Sequence, residues 1–211
     1  MTRLLHVVAS PREGQSVSTA IGLAFIERWR QQEPDVVVDT LDLWREDLPA
    51  FDGDKAAAKL TLVTGGQHDA RQQTAWEAVT TVASRFTQAD AYLFSVPMWN
   101  GGVPYRLKHY IDLLMQPGIL FRLDPVHGYQ GLLQGKRAAA IYTSGVYQPG
   151  LPPGFGQDFH STYLDWWLRT IGITQLACIR CQPTLRTADL QQVIDDALAQ
   201  ARRSAQRLTA G

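Results

Sequence analysis

The sequence has few cysteines, no excess of either charge and no long apolar run. Two cysteines among 211 residues cannot form the disulfide network that stabilises small secreted proteins. Twenty basic and twenty acidic side chains cancel, so the chain lacks the net positive charge typical of proteins that bind nucleic acid. No apolar stretch approaches the roughly 20 residues of a membrane-spanning helix. We therefore expect neither a nucleic-acid partner nor a membrane anchor.

The first residues contain an apolar segment that could be mistaken for a signal peptide. Residues 4–9 are too few for that role, include His6, and lead into Pro11 without a small-residue cleavage site. We predict that this segment is the first strand, that His6 lies in the core, and that the protein is cytoplasmic.

Apolar segments typical of buried strands alternate with helical patterns along the chain. The predicted strands cover residues 4–9, 36–41, 91–96, 138–142 and 175–179. Apolar spacing predicts helices over 17–25, 76–86, 103–114, 158–171 and 188–208. Two long segments, 44–66 and 116–136, lack a clear pattern and are predicted to be irregular insertions.

This alternation predicts an α/β fold. Strands that are apolar throughout belong to a sheet covered on both faces, and strand–helix alternation gives right-handed crossovers between parallel strands. Five strands with five helices fit a flavodoxin-like, doubly wound parallel sheet of order 2-1-3-4-5, with helices on both faces. Because the chain shows no repeat or linker, we predict a single domain over residues 1–211.

Ligands of such sheets bind beyond the carboxyl ends of the strands, which directs attention to the loops there. The loop after strand 1 contains Ser10, Ser16, Val17 and Ser18 where the first helix begins. Free N–H groups, the helix dipole and serine hydroxyls together favour a phosphate monoester. Alternatively, Ser18 only caps the helix. The loop matches neither the nucleotide P-loop nor the Gly-x-Gly-x-x-Gly dinucleotide turn.

The loop after strand 3 is rich in residues that permit a tight turn close to a flat ring. It consists of Pro97, Met98, Trp99, Asn100 and Gly101, followed by a second glycine and Val-Pro. Asn and Gly allow close approach of the backbone to a ligand, and an indole offers an apolar wall. The alternative is an ordinary glycine-rich turn before a helix.

The loop after strand 4 is short, polar and contains glycine. Its residues are Thr143, Ser144, Gly145 and Val146. They could hydrogen-bond the pyrimidine end of a flavin, although many strand–loop junctions have this composition.

Three parts of the chain together resemble the FMN-dependent NADH-azoreductases and their quinone-reductase relatives. They are residues 10–12 with 16–18, residues 41–44 with 46–49, and the Pro-Met-Trp-Asn segment at 97–100 with 103–104, 107–108 and 110–112. The segment at 131–136 also resembles the family's sequence just before strand 4. The resemblance covers nearly the whole chain in order. The chain departs from the family pattern in two places. Trp99 replaces the tyrosine that usually precedes the asparagine, and Gly101 replaces the aromatic residue that usually follows it. The family's Ser-Arg-Gly-Gly-like loop is shortened to residues 143–146.

The resemblance implies a function and an assignment of residues. Ser10 and residues 16–18 would hold the FMN phosphate, residues 97–101 would contact the isoalloxazine, and residues 143–146 would close its other side. NADH or NADPH would reduce the flavin at N5, and a quinone or azo compound would then receive two electrons in a ping-pong cycle, with no catalytic side chain. The family's active site is shared between two subunits, which implies a homodimer.

Several other groups could carry chemistry. Trp99, Phe121 and Tyr147 are our candidates for contact with the substrate, although such aromatics also serve as core or dimer-interface residues. Cys178 and Cys181 lie in or beside a predicted strand, where residues three apart face opposite sides, so we interpret them as structural. The five histidines lack the spacing of a metal site, and we predict none.

Two other functions remain open at this point. One is a flavodoxin-like electron carrier that does not oxidise a nicotinamide itself, although neutral net charge and long aromatic insertions speak against it. The other is a flavin-free scaffold or regulatory protein on the same fold.

Overall fold

The computed structural model describes residues 1–210, whose centre is a five-stranded parallel sheet. Its strands are β1 (Arg3–Val8), β2 (Val37–Asp42), β3 (Ala91–Pro97), β6 (Arg137–Thr143) and β7 (Gln175–Cys181). Their order is β2-β1-β3-β6-β7, and every neighbouring pair is parallel. Renumbered within this sheet, the order is 2-1-3-4-5, which confirms the predicted fold.

Helices cover both faces of the sheet. The described residues contain six, namely α1 (Val17–Gln32), α2 (Gly53–Val63), α3 (Ala70–Thr87), α4 (Tyr105–Leu114), α5 (Ser161–Thr170) and α6 (Leu190–Thr209). Alternate residues of each strand face opposite sides. Leu5 and Val7 of β1 accordingly pack in a core with α3, α4 and α5, whereas Leu4 packs in a second core with α1 and α6.

The prediction of an irregular segment over 44–66 was wrong for its second half, which forms α2. The Asp52 side chain accepts a hydrogen bond from the Lys55 main chain and caps this helix. Alanine and lysine have high helix propensity, but Lys55 and Ala58 are its only buried residues, so no apolar stripe marked it. The helix instead gains its stability from packing against α3.

The predicted insertion at 116–136 contains a hairpin of β4 (Phe121–Asp124) and β5 (Gly128–Gly131). The Asp124 carboxylate closes its turn by accepting hydrogen bonds from the main-chain N–H groups of Val126 and His127. A four-residue strand is too short to show a period-2 pattern in the sequence, which explains why the hairpin was not predicted.

The sheet places all five carboxyl ends of its strands at one edge, because parallel strands run in the same direction. β1 and β3 are neighbours, and β2 and β6 lie outside them. The strand order reverses at this point, because the chain adds β2 on one side of β1 and then β3 on the other, so the crevice above β1 and β3 is open to a ligand. Among residues 1–210, no helix is long and apolar enough to cross a membrane.

Candidate functional site

Three loops meet above the carboxyl ends of β1, β3 and β6. We call them the β1 loop (residues 9–18), the β3 loop (97–104) and the β6 loop (143–147). The main-chain N–H of Ala9 donates to the Ser95 carbonyl at 3.0 Å, and that of Met98 donates to the Thr143 carbonyl at 2.7 Å. The first bond joins the β1 loop to strand β3, and the second joins the β3 loop to the end of β6, so the structure places the three segments selected from the sequence side by side.

The β1 loop ends in a buried group of serine hydroxyls. Ser16 is the N-cap of α1, and its Oγ accepts from the main-chain N–H of Thr19 at 3.3 Å. The Ser16 and Ser18 hydroxyls lie 3.2 Å apart. Ser10 is buried as well, and its Oγ accepts from the Arg12 main chain. The prediction that a serine caps this helix is therefore right in kind, although the cap is Ser16 rather than Ser18.

The start of α1 has the donors that a phosphate needs. First-turn N–H groups have no acceptor four residues back, so those of Val17 and Ser18 are available to a ligand while Ser16 takes that of Thr19. The first turn of α1 contains no acidic residue that would repel an anion. Hydroxyl and N–H donors at a helix N-terminus therefore fit a phosphate monoester.

The β3 loop folds back on itself in a two-residue turn. Trp99 and Gly102 exchange two main-chain hydrogen bonds of 2.9 Å. Asn100 and Gly101 between them have φ angles of +50° and +82°. Positive φ at both central positions defines a type I′ turn, which Asn-Gly adopts most readily. The sequence indication of a tight turn is confirmed, and the turn exposes the backbone around Asn100 to a ligand.

A second segment supports this turn from outside. Phe159 donates its N–H to the Gly101 carbonyl at 3.0 Å. The Asp158 carboxylate accepts from the N–H groups of His160 and Ser161 and from the Ser161 hydroxyl. Burial opposes ionisation of Asp158, but these hydrogen bonds outweigh it and hold its pKa below the ordinary value. The residues that contact the β3 loop are thus held rigidly.

The β6 loop is paired with the segment that follows β7. The Ser144 carbonyl accepts from the Thr184 N–H at 2.8 Å, and the Gly145 carbonyl accepts from the Leu185 N–H at 2.9 Å. A Cβ at Gly145 would lie 2.8 Å from the Leu185 side chain, so a glycine allows the close approach. Val146 projects into solvent, and Thr143 and Ser144 are buried.

Aromatic side chains cluster beside the β3 loop. The Trp44 ring lies 5.5 Å from that of Trp99 and 5.3 Å from that of Tyr105. A groove of about 650 Å³ opens next to Trp99 and Asn100. Lys108 at its side forms an ion pair of 2.6 Å with Asp112, so the two charges offset each other there. The groove suits a flat, largely uncharged molecule.

Of two residues predicted to contact the substrate, one belongs to these loops and the other lies in the hairpin. Tyr147 ends the β6 loop, and its main-chain carbonyl accepts a hydrogen bond from the Ser144 hydroxyl. Phe121 lies in the hairpin, where its ring packs on Tyr129 at 4.9 Å and its backbone pairs with Gly131 and Pro117. None of these partners belongs to the three loops, because Phe121 pairs with the hairpin and with the segment just before it.

The two cysteines lie on opposite faces of β7, as the spacing predicted. Cys181 packs in the core of α1 and α6, and Cys178 packs against the other core. Burial raises the pKa of both thiols, that of Cys181 to about 11, which keeps them protonated and unreactive at neutral pH. Within residues 1–210, no three metal-ligating side chains lie together.

Sequence reasoning did not select Trp44, Tyr105 or the segment 184–186 as site residues. Trp44 lies within one of the segments that carried the family resemblance, which was the only available signal. Residues 184–186 had none, because a main-chain pairing across forty residues leaves no local pattern.

The fold and the three loops place the protein in the flavodoxin-like class. Residues 2–205 match the family model described as flavodoxin-like fold. A solved azoreductase from Bacillus anthracis superposes with a TM-score of 0.88 at 25% identity, covering 98% of this chain and 100% of that one.

Curated relatives narrow the class further. A Ruegeria pomeroyi protein named FMN-dependent NADH:quinone oxidoreductase is 54% identical over 199 residues, covering 94% of this chain and 98% of its own. A Pseudomonas fluorescens protein named FMN-dependent NADH:quinone oxidoreductase 3 is 40% identical over 213 residues, covering 100% and 99%. The chain therefore belongs to the family of FMN-dependent NADH:quinone oxidoreductases, which confirms the resemblance seen in the sequence.

Proposed function

We propose that this protein is an FMN-dependent NAD(P)H oxidoreductase that reduces quinones and azo compounds by two electrons. The observation that carries the proposal is the row of three loops above β1, β3 and β6. The β1 loop offers donors for the FMN phosphate. The turn and the Trp99 ring of the β3 loop suit the isoalloxazine, and the β6 loop would lie at the far end of that ring. The family relationship supports the same chemistry.

The residues present fit the cofactor. The Ser10, Ser16 and Ser18 hydroxyls, with the N–H groups of Val17 and Ser18, would hold the phosphate. Residues Pro97, Met98, Trp99, Asn100 and Gly101 would lie along the isoalloxazine, and residues 143–146 would bind its far end. When bound, FMN supplies hydride transfer between the nicotinamide and the acceptor.

The protein's part in the reaction is binding, orientation and charge stabilisation. The type I′ turn presents main-chain N–H groups near Asn100, where they can stabilise negative charge on a reduced ring. Because these donors belong to a rigid turn, they need no reorganisation during the reaction. No side chain is required to act as acid or base.

The groove beside Trp99 is the site that we assign to the nicotinamide and the acceptor in turn. Phe51 and Tyr105 give it apolar walls, and the Lys108–Asp112 ion pair keeps its side locally neutral. These properties favour planar acceptors such as quinones and aromatic azo compounds. We include Tyr147, and Phe121 from a second subunit, among the residues that contact them.

We further propose a cytoplasmic homodimer with one domain over residues 1–211 in each subunit. Support comes from exposed apolar side chains near the site, which a partner would cover. Phe159 is 59% exposed, Tyr105 63% and Leu185 82%.

An anaerobic titration tests the function. The purified protein is reconstituted with FMN, titrated with NADH and then with a benzoquinone. We expect NADH to abolish the yellow absorbance and the quinone to restore it, one equivalent for each. A flavin that stays oxidised with NADH would indicate an electron carrier, and failure to take up FMN would indicate a scaffold.

A serine variant tests the phosphate site. A hydrogen bond to a charged group contributes about 1.5–3 kcal/mol, so Ser18→Ala should weaken FMN binding by about tenfold or more. Ser84→Ala is the matched control, because it removes an exposed helical hydroxyl from α3. Equal FMN affinity in the two variants would contradict the assignment of Ser18.

A further inference from the structure

The segment after β2, residues 43–50, connects the β1 loop to the β3 loop and the helix that follows it. We call it the β2 segment. On one side, its Leu43 N–H donates to the Val8 carbonyl at 3.1 Å, at the end of β1. On the other side, Arg106 of α4 donates to the carbonyls of Leu43 and Glu46, at 2.8 and 2.6 Å. The β2 segment is thus bonded to both neighbours.

One side chain of the β2 segment touches both loops directly. The Trp44 Nε1–H donates to the Ala9 carbonyl of the β1 loop at 3.0 Å. Its ring packs against Trp99 of the β3 loop and against Tyr105 at the start of α4. The main chain of Trp44 is in turn fixed by a hydrogen bond from its N–H to the Asp42 carboxylate. The indole therefore has a set orientation at both ends.

The other direct link to the β1 loop is weaker. Arg45 forms an ion pair of 3.1 Å with Glu13, but these side chains are 70% and 68% exposed. Ion pairs in solvent hold their partners loosely, because water screens the charges and the long side chains remain mobile. An indole packed between two loops is more rigid, so Trp44 is the better candidate for coupling them.

We propose that Trp44 is a positioning residue for flavin chemistry, which sets the location of the Trp99 turn relative to the Ser16–Ser18 phosphate site. The inference rests on the proposed function. The hydrogen bonds and ring packing of Trp44 involve Ala9, Asp42, Trp99 and Tyr105, and neither the turn's central residues nor the serine hydroxyls. Trp44 acts through Trp99, whose ring forms part of the groove wall. Small displacements of a group that orients a reactant lower rates strongly.

The proposal distinguishes cofactor affinity from cofactor placement. The phosphate donors do not include Trp44, so its loss leaves FMN affinity nearly unchanged. Main-chain bonds hold the backbone of the β3 loop, but Trp44 packs directly on the Trp99 ring, so its loss should raise KM for the quinone by about tenfold. The visible circular dichroism of bound FMN, which reports the asymmetric surroundings of the ring, should change as well.

Three variants test the proposal in the holoenzyme. Trp44→Leu removes both the N–H bond to Ala9 and the ring contacts. Trp44→Phe removes the N–H bond but keeps a smaller aromatic ring beside Trp99 and Tyr105, so its KM should lie between those of the wild type and Trp44→Leu. Trp76→Leu is the matched control, because Trp76 is a half-buried indole of α3 that packs on His68. It should leave KM and the flavin spectrum unchanged.

Failure of the proposed role of Trp44 can be distinguished from failure of the proposed oxidoreductase function. A Trp44→Leu protein with a lower melting temperature but wild-type KM and flavin dichroism would show a purely structural role and overturn the proposal. A Trp44→Phe protein with the KM and flavin dichroism of the wild type would also overturn it, because the bond that links Trp44 to the β1 loop would then not matter. If wild-type protein with bound FMN does not oxidise NADH, the proposed function itself fails.

Discussion

A buried histidine beneath the phosphate site makes the stability of this protein depend on pH. His6 in β1 is 1% exposed, and its Nε2 lies 2.8 Å from the Ser95 hydroxyl. Ser95 donates its own proton to the Ser18 carbonyl at 3.1 Å, so it must accept from His6. The proton of neutral His6 is therefore on Nε2, and Nδ1 is buried without a hydrogen-bond partner among the described residues.

Protonation of His6 would place a charge on this buried, unpartnered nitrogen. Burial accordingly lowers the pKa of His6 from 6.5 to about 4. The unfolded chain then binds a proton more readily than the folded chain does below pH 6.5. Folding stability must fall as pH falls, beginning near pH 6.5 and ending near pH 4. The loss amounts to about 2 kcal/mol between pH 7 and pH 5 for this one group.

Urea unfolding of the wild type and of His6→Gln at pH 7 and pH 5 measures this contribution. Glutamine does not titrate and retains an amide that can reach Ser95. We expect the pH-dependent loss of stability to be about 2 kcal/mol smaller in the variant than in the wild type. His127→Gln is the control, since that ring is largely exposed on the hairpin. An unchanged pH dependence in His6→Gln would refute the reasoning.

Two further predictions concern packing and ion pairing. Gly131→Ala should destabilise the fold by about 1–3 kcal/mol, because the added Cβ would lie 2.2 Å from the backbone of Gly172. Thermal unfolding measures the loss, and Gly154→Ala is the control because the space around Gly154 is open. Arg85 donates to both Asp39 carboxylate oxygens and to Glu46, and its hydrogen bond holds the pKa of Asp39 below its ordinary value. Arg85→Lys should cost about 1 kcal/mol in chemical denaturation, whereas Arg71→Lys at an exposed pair should cost nothing measurable; equal losses would contradict the bidentate argument.

The buried His6 also connects the sheet to the phosphate site. His6, Ser95 and the Ser18 carbonyl form a chain of hydrogen bonds that ends in the first turn of α1. Gly22 of the same helix lies over it, where a Cβ would be 2.7 Å from the Ser95 hydroxyl. The sheet and the helix that presents the serine donors are therefore in close contact, which keeps those donors in place.

Patterns confined to a single element were sufficient to predict most of the fold. The central strands β1, β3 and β6 are short apolar runs buried on both faces. The edge strands β2 and β7 are less buried but keep β-branched or other apolar residues, so all five strands were placed within two residues at each end. The Asn-Gly turn depends on two residues and was predicted, whereas the cap of α1 is Ser16 and not Ser18, the serine considered from the sequence. The alternation of elements then determined the strand order, because right-handed crossovers leave few alternatives.

Features that depend on distant partners could not be predicted in this way. Helix α2 buries only two residues and packs against α3, and the β4–β5 hairpin is stabilised by pairs between two four-residue strands. The pairing of the β6 loop with residues 184–186 and the contact of Trp44 with Ala9 and Trp99 join residues far apart in the chain. A sequence records propensities of neighbouring residues, whereas these contacts exist only once the sheet has brought the loops together.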